Sequence, residues 1–302
     1  PDDATASLDL HRSCGTVWRQ AWAQFRSRIE HGSAYGGHYY HFKWGFPGEE
    51  RGGVEPQGVF HPWNNSVAFL HVGKAGGGTI GLSLKRSQIP HDELHMAPAD
   101  CGTPDSMLLQ HTVFVVGVRG PVDRFVSAYN WAGLEGTSSA SAYQVCGTVD
   151  SVFNSDPGDD AGGAGQPLAF NCSRFRELVL AQSSSAAGAY SVAEATALSH
   201  KHLFRGYCFH LGGCFAALRG REVIAIPTET MNASLFAQLP ELHSRFATHG
   251  RPMMRGNPHA SEGSKYLSKS ARRALELALA DEYWLVNSIL RLSRSTQAYC
   301  TQ

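Results

Sequence analysis

Two short apolar runs, each stopped by a glycine-containing turn and followed by a helical pattern, limit this chain to few folds. Val67-Ala68-Phe69-Leu70-His71-Val72 is nearly free of polar residues, as suits a strand buried on both faces of a parallel sheet. Gly73 through Thr79 is a glycine-rich turn, and residues 79–89 then carry Ile80, Leu84 and Ile89 as a helix. Thr112-Val113-Phe114-Val115-Val116-Gly117-Val118 repeats the pattern, with Arg119-Gly120-Pro121 ending the strand and a helix predicted over 122–131. Glu222-Val223-Ile224-Ala225-Ile226, closed by Pro227, predicts a third strand. Strand, turn and helix, twice in succession, predict an α/β fold: a parallel sheet between layers of helices.

The rest of the chain fits around that centre as one domain over residues 1–302. Val17, Trp18, Ala21, Trp22, Phe25 and Ile29 recur at helical spacing and predict a helix over 13–30. Residues 31–63 form an aromatic, glycine-rich lead-in, and Tyr35 to Phe46 are candidates for sugar stacking or for core packing. Residues 132–166 are rich in Gly, Ser, Ala and Asp and read as a loop insertion. Helical patterns return at 168–182 and 191–204. One long helix is predicted over 268–292, capped by Ser268 or Ser270, with Leu275, Leu279, Tyr283, Val286 and Leu290 on one face.

Composition excludes several classes. Hydrophobic residues are 42% of the chain and charged residues 17%, which argues against both disorder and a coiled coil. Lys and Arg number 26, as do Asp and Glu, so no overall basic field points to nucleic acid or an anionic membrane. No apolar run reaches the roughly 20 residues a membrane helix needs. Pro1-Asp2-Asp3 lacks the basic and apolar regions of a signal peptide, so membrane attachment is expected only through a segment absent from this chain. Seven cysteines occur without C-x-x-C spacing, which disfavours a zinc ribbon. Cys208 and Cys214 can close a short disulfide loop, and Cys146 and Cys172 can pin the segment between them; buried free thiols are the alternative. The triplets at Asn64, Asn171 and Asn232 fit glycosylation acceptors and lean towards a secretory lumen.

The two turns carry the chemistry. Backbone N–H groups at a helix start bind anions, and glycines let the backbone approach closely. Gly73-Lys74-Ala75-Gly76-Gly77-Gly78-Thr79 supplies such a start, with Lys74 as a point charge and Thr79 as a hydroxyl. A Walker A loop places Lys after its glycines, whereas here Lys precedes them, which weakens an ordinary ATPase or kinase reading. In the second turn, Arg119 stands at the carboxyl end of a strand, and Ser127 lies on the following helix. Arg119 and Ser127 can grip a second phosphate, because the arginine fork makes paired bonds to phosphate oxygens. Arg124 reads either as a ligand or as a salt-bridged or helix-surface charge, and Phe125, Val126 and Tyr129 as core.

The pair of turns, in this order, resembles the motifs of sulfotransferases that use 3′-phosphoadenosine-5′-phosphosulfate (PAPS). His71 to Thr79 resembles H-x-x-K-T-G-G-T-[ST], and Arg119 to Tyr129 resembles R-D-P-x-x-R-x-x-S-x-Y, which brings the chain nearest the Golgi-type carbohydrate branch. The likeness is clearest over residues 66–131. It departs at Ala75 and Gly78, where the family has threonines, and at Gly120, where it has Asp. The resemblance implies a P-loop-like fold and a lumenal Golgi or secretory location. It also implies transfer of a sulfuryl group from PAPS to an acceptor hydroxyl, on a carbohydrate or small metabolite, with no metal. It implies that Gly73, Lys74, Ala75, Gly76, Gly77, Gly78 and Thr79 cradle the 5′-phosphosulfate. Lys74 would neutralise the bridging oxygen, while Arg119 and Ser127 hold the 3′-phosphate. Lys265 or Arg255, in the loop before the terminal helix, would cover the adenine and 3′-phosphate.

An acceptor hydroxyl must lose its proton, and the resemblance implies a His or Glu base between the motifs. His95 is the leading candidate, with Glu93 and His91 next, since a neutral imidazole suits that role near pH 7. His200-Lys201-His202 and His38-Tyr39-Tyr40-His41 lack partners at metal-ligand spacing, so zinc is not expected. No G-x-S-x-G elbow supports a hydrolase. Two competing readings remain: a nucleotide-dependent phosphotransferase, which needs a Mg²⁺-holding acid after a strand, and a non-catalytic nucleotide-binding module.

Overall fold

A computed structural model of the chain describes residues 42–43, 67–95, 99, 110–132, 148–154, 201–212, 214–246 and 265–300. The helix expected at 13–30, most of the lead-in, the helix at 168–182, most of that at 191–204, the aromatic candidates other than Phe42, and Arg255 lie outside these residues.

Five strands form one sheet: β1 (Phe42–Lys43), β2 (Val67–Leu70), β3 (His91–Leu94), β4 (Val113–Val118) and β5 (Glu222–Pro227), in the spatial order β1-β3-β2-β4-β5. The last four are parallel, and β1 runs antiparallel to β3. Val67 lies opposite both His91 and Val113, and Leu70 opposite both Leu94 and Val116, which sets β2 at the centre of the parallel set. The helices are α1 (Gly77–Arg86), α2 (Pro121–Ala132), α3 (Val149–Asn154), α4 (Lys201–Phe204), α5 (Tyr207–Leu211), α6 (Met231–Phe246), α7 (Lys269–Ala278) and α8 (Ala280–Cys300).

Alternation along the strands sends side chains to both faces. Ala68, Leu70, Phe114, Val116, Val223 and Ala225 meet α5 and α8, where Leu285, Val286 and Ile289 are buried. Val67, Phe69, Val113, Val115, Ile224 and Ile226 meet Ile80 and Leu84 of α1 and Leu239 and Leu242 of α6. The predicted α/β architecture, a parallel sheet flanked by helices, is therefore present. A separate cluster joins α2 to α3 and α7 through Phe125, Tyr129, Val152, Phe153, Leu275 and Leu279.

Three elements depart from expectation. β3 was not foreseen, because His91-Asp92-Glu93-Leu94 is polar, yet all four residues are buried. The two carboxylates are tolerated because they are paired: His111 Nε2 meets Asp92 Oδ2 at 2.8 Å, and His71 Nδ1 meets Glu93 Oε1 at 2.6 Å. Within the expected loop 132–166, Val149, Val152 and Phe153 recur at helical spacing and bury one side of α3. The backbone N–H of Ser268 donates to Asp150 Oδ1 at 2.6 Å, which ties α3 to the start of α7. The single helix expected over 268–292 is two, ending and restarting at Leu279. Its first half packs on α3 and its second on the sheet; no Gly or Pro marks the break. Ser268 caps α7 as expected, its hydroxyl accepting from the Ala271 N–H at 3.2 Å.

Candidate functional site

β3 follows β2 in the chain but lies on one side of it, whereas β4 lies on the other. Strand order thus reverses between β2 and β4, and open α/β sheets bind ligands outside the carboxyl ends of the strands at such a point. Both candidate turns emerge there. In the first, Lys74 has φ 65° and Gly76 φ 80°, and α1 starts at Gly77. A left-handed lysine is strained for a residue with a side chain, and such strain gathers at functional sites. Gly76 is favoured by its positive φ, which side chains rarely adopt; a Cβ there would also push the mobile end of Met231 aside. Ala75 is fully buried among the sheet's apolar side chains, so its methyl faces the core, and a threonine there would bury a hydroxyl. Gly78 is exposed and Thr79 half-buried.

The second turn is built against the first. A Cβ on Gly117 would meet the Ala75 carbonyl oxygen at 2.2 Å, so only glycine lets the turn lie across β4. Gly117→Ala is accordingly expected to cost about 1–3 kcal/mol and to displace the turn; a urea midpoint equal to the parent's would contradict this packing. Arg119 Nη1 donates to the Lys74 carbonyl at 3.2 Å, which bonds one turn directly to the other. The Arg119 N–H donates to Tyr207 Oη at 2.9 Å, and Tyr207 Oη donates to the Gly117 carbonyl at 3.1 Å. Tyr207 is fully buried, and burial pushes its phenol up, so it stays protonated and braces the end of β4.

Arg119, Ser127 and Lys265 line one cleft of about 450 Å³ with Asp123, Val126, Thr228 and Glu229. Arg119 and Ser127 of the second motif thus meet Lys265, from a distant loop, at the carboxyl ends of β4 and β5. Burial pulls the Arg119 guanidinium below its usual range, while Asp123 and Glu229 act the other way. Asp123 also pairs with Arg272 of α7 at 3.5 Å. Arg124 is not part of this cleft. It is 1% exposed and donates to the His202 and Leu203 carbonyls at 2.7 and 3.0 Å, so it fastens α4 to α2.

The histidines cluster beside the turn. His95 Nδ1 donates to the His71 carbonyl at 2.9 Å, the two rings stack with centroids 3.8 Å apart, and His202 lies 5.5 Å from His95. Burial, and then the charge of His71, push His95 down to about 4. His91 is fully buried, its Nδ1 bonded to the Ile89 carbonyl at 2.8 Å, and burial lowers it too. Burial would raise the Glu93 carboxyl, but the His71 hydrogen bond and nearby positive charge outweigh it and leave it below its ordinary value.

The His95 shift has a pH consequence. The folded chain refuses a proton that the unfolded chain takes up from its ordinary value of 6.5. This contribution to stability is therefore complete above 6.5 and is lost as pH falls towards about 4. It amounts to about 3 kcal/mol. His95→Gln is expected to flatten the urea midpoint against pH across that window; a parent-like slope in the variant would assign the acid loss elsewhere.

Several supporting residues carry no sequence signal. Glu282 of α8 is buried and accepts from the N–H groups of Tyr207 at 2.6 Å and Cys208 at 3.1 Å, capping α5. Cys208 and Cys214 form a disulfide, one of the two pairings the sequence suggested. Among the described residues, no group of three or more His, Cys, Asp or Glu side chains is arranged to hold a metal, and no helix is long and apolar enough to cross a membrane. Asn232, first of its triplet, is exposed in the first turn of α6.

Compared with known proteins, the chain matches no family model, no curated protein and no solved structure.

Proposed function

We propose that the protein is a PAPS-dependent sulfotransferase on a P-loop-like sulfotransferase fold, moving a sulfuryl group to an acceptor hydroxyl of a carbohydrate or small metabolite. The observation that carries this reading is the meeting of Arg119, Ser127 and Lys265 in one cleft, beside a glycine turn bonded to Arg119 through the Lys74 carbonyl. Two anion-binding groups at one switch point suit a nucleotide with phosphates at both its 5′ and 3′ positions.

In this reading the Gly73–Thr79 turn receives the phosphosulfate at the start of α1, and Arg119, Ser127 and Lys265 receive the 3′-phosphate. Lys74 offsets charge on the bridging oxygen as the sulfur–oxygen bond breaks. Transfer is an in-line displacement driven by positioning and charge stabilisation, without a metal. A histidine of the cluster, His95 or its neighbour, takes the acceptor's proton. The buried Ala75 methyl supports donor binding despite the departure from threonine, because a side chain at that position faces the core and not the ligand. The Cys208–Cys214 disulfide supports an oxidising compartment, in keeping with the Golgi lumen or another part of the secretory pathway.

The test is calorimetric titration with 3′-phosphoadenosine-5′-phosphate, the desulfonated donor, beside ATP with Mg²⁺. Tight binding of the former, weakened about 100-fold in Arg119→Ala, is expected. Glu229 follows β5 and lines the cleft, so an acid does stand where the phosphotransferase reading needs one. Preference for ATP with Mg²⁺ would move the assignment there. Tight donor binding without transfer to any hydroxyl would favour the non-catalytic module.

A further inference from the structure

The histidine expected to act as base and the histidine best placed for it differ. His95 spends its Nδ1–H on the His71 carbonyl and lies under the His71 ring. His71 has the partner that activates an imidazole: Glu93 Oε1, 2.6 Å from Nδ1. A carboxylate there holds the Nδ1–H tautomer, turns the lone pair onto Nε2 and stabilises the imidazolium formed on proton uptake, the logic shared by nucleophile–base–orienter triads. Glu93 is 7% exposed at its side chain and His71 17%, so the orienter is enclosed and the imidazole still reaches solvent. The far edge of the His71 ring is also fixed: a Cβ on Gly77 would lie 1.9 Å from His71 Nε2, so this nitrogen stands at the first residue of α1.

We propose that His71, oriented by Glu93, is the catalytic base of the transfer, with His95 as a positioning residue stacked on it. This rests on the sulfotransferase reading. The acceptor oxygen forms its bond to sulfur as the bond from sulfur to the 5′-phosphate oxygen breaks. The electron pair stays on that phosphate, the hydroxyl proton passes to His71 Nε2, and the proton later leaves to solvent. Two cationic imidazoles stacked this closely would repel, so the proton taken up in the step goes to the ring that has a carboxylate partner, His71. The groups facing this pair are Glu93 and His91 on β3, Lys85 on α1, His202 on α4 and Arg205 after it.

The full chain is tested in two ways. First, histidines labelled with ¹⁵N are titrated by NMR. Neutral His71 is expected as the Nδ1–H tautomer held by Glu93, and Glu93→Ala is expected to move its ring nitrogens towards the Nε2–H tautomer. The opposite tautomer in the parent, or a tautomer ratio unmoved by Glu93→Ala, overturns the pairing whatever the enzyme does. Second, hydrolysis of labelled PAPS is followed, with water standing in for the acceptor. His71→Gln is expected to lose about 100-fold or more in rate while still binding the desulfonated donor. Glu93→Gln is expected to move the acidic limb of the pH profile down. Parent-like rates in His71→Gln, with loss in His95→Gln, return the base to His95. A parent protein that neither binds nor cleaves PAPS removes the sulfotransferase reading and with it the catalytic role, while the titration still decides the His71–Glu93 pairing.

Discussion

Alanine in place of Lys74 is expected to slow sulfuryl transfer by about 10²–10³-fold while changing affinity for the desulfonated donor only a few-fold. The difference follows from timing. In the proposed transfer, negative charge on the bridging oxygen grows as the sulfur leaves, so a cation beside it would act more on the transition state than on the bound donor. Lys74 also occupies a left-handed conformation at φ 65°, beside a glycine at φ 80°. Both Lys and Ala dislike that conformation, so the substitution changes the charge with little added backbone strain. Its carbonyl, which accepts from Arg119, remains in the variant. Single-turnover transfer from labelled PAPS measures the rate and calorimetry the affinity. Equal losses in both would make Lys74 a binding residue rather than a catalytic one.

Glu282→Ala is expected to be the most damaging single change to the fold, at about 3–5 kcal/mol. That is a large share of the roughly 5–15 kcal/mol that holds a domain together. The alanine leaves the N–H groups of Tyr207 and Cys208 buried without their acceptor, and it removes the negative charge facing buried Arg124. Denaturant unfolding measures the loss, and a change below about 1 kcal/mol would mean that α5 finds another cap. Burial raises the Glu282 carboxyl above 4.5, against the pull of Arg124 and the two N–H groups. The folded state then holds its proton longer than the unfolded one. This group's contribution therefore falls as pH rises from 4.5 through the raised value, and Glu282→Gln removes that fall.

The centre of the fold was legible because its signal is local. Val67–Leu70 and Val113–Val118 carry apolar residues and glycine alone, and each is followed within three residues by a Gly-containing turn. Arg119 and Ser127 were legible for the same reason, as they lie within one turn and the helix after it. β3 was not, because a strand is recognised by its apolar letters, and Asp92 and Glu93 are buried through partners distant in sequence, His111 and His71. Arg124 stood beside the right residues and yet points its fork at the α4 carbonyls, a contact across 78 and 79 positions. Glu282 and Tyr207 likewise act across long separations, and nothing in their own neighbourhoods announces it. Lys265 shows the converse: it was inferred from a family layout, and it does line the cleft with Arg119.

The hydrogen bond from Arg119 to the Lys74 carbonyl joins the parts assigned to the two ends of the donor. A guanidinium has five donors, so one arginine can keep this internal bond and still grip a phosphate. The site is therefore a single brace rather than two separate clamps. A nucleotide without a 3′-phosphate forfeits its grip at one end and leaves the arm that steadies the other end without its anion. If the protein binds PAPS as proposed, discrimination against ordinary nucleotides would then exceed what one missing phosphate contact supplies, and it would extend to the end of the site assigned to the phosphosulfate.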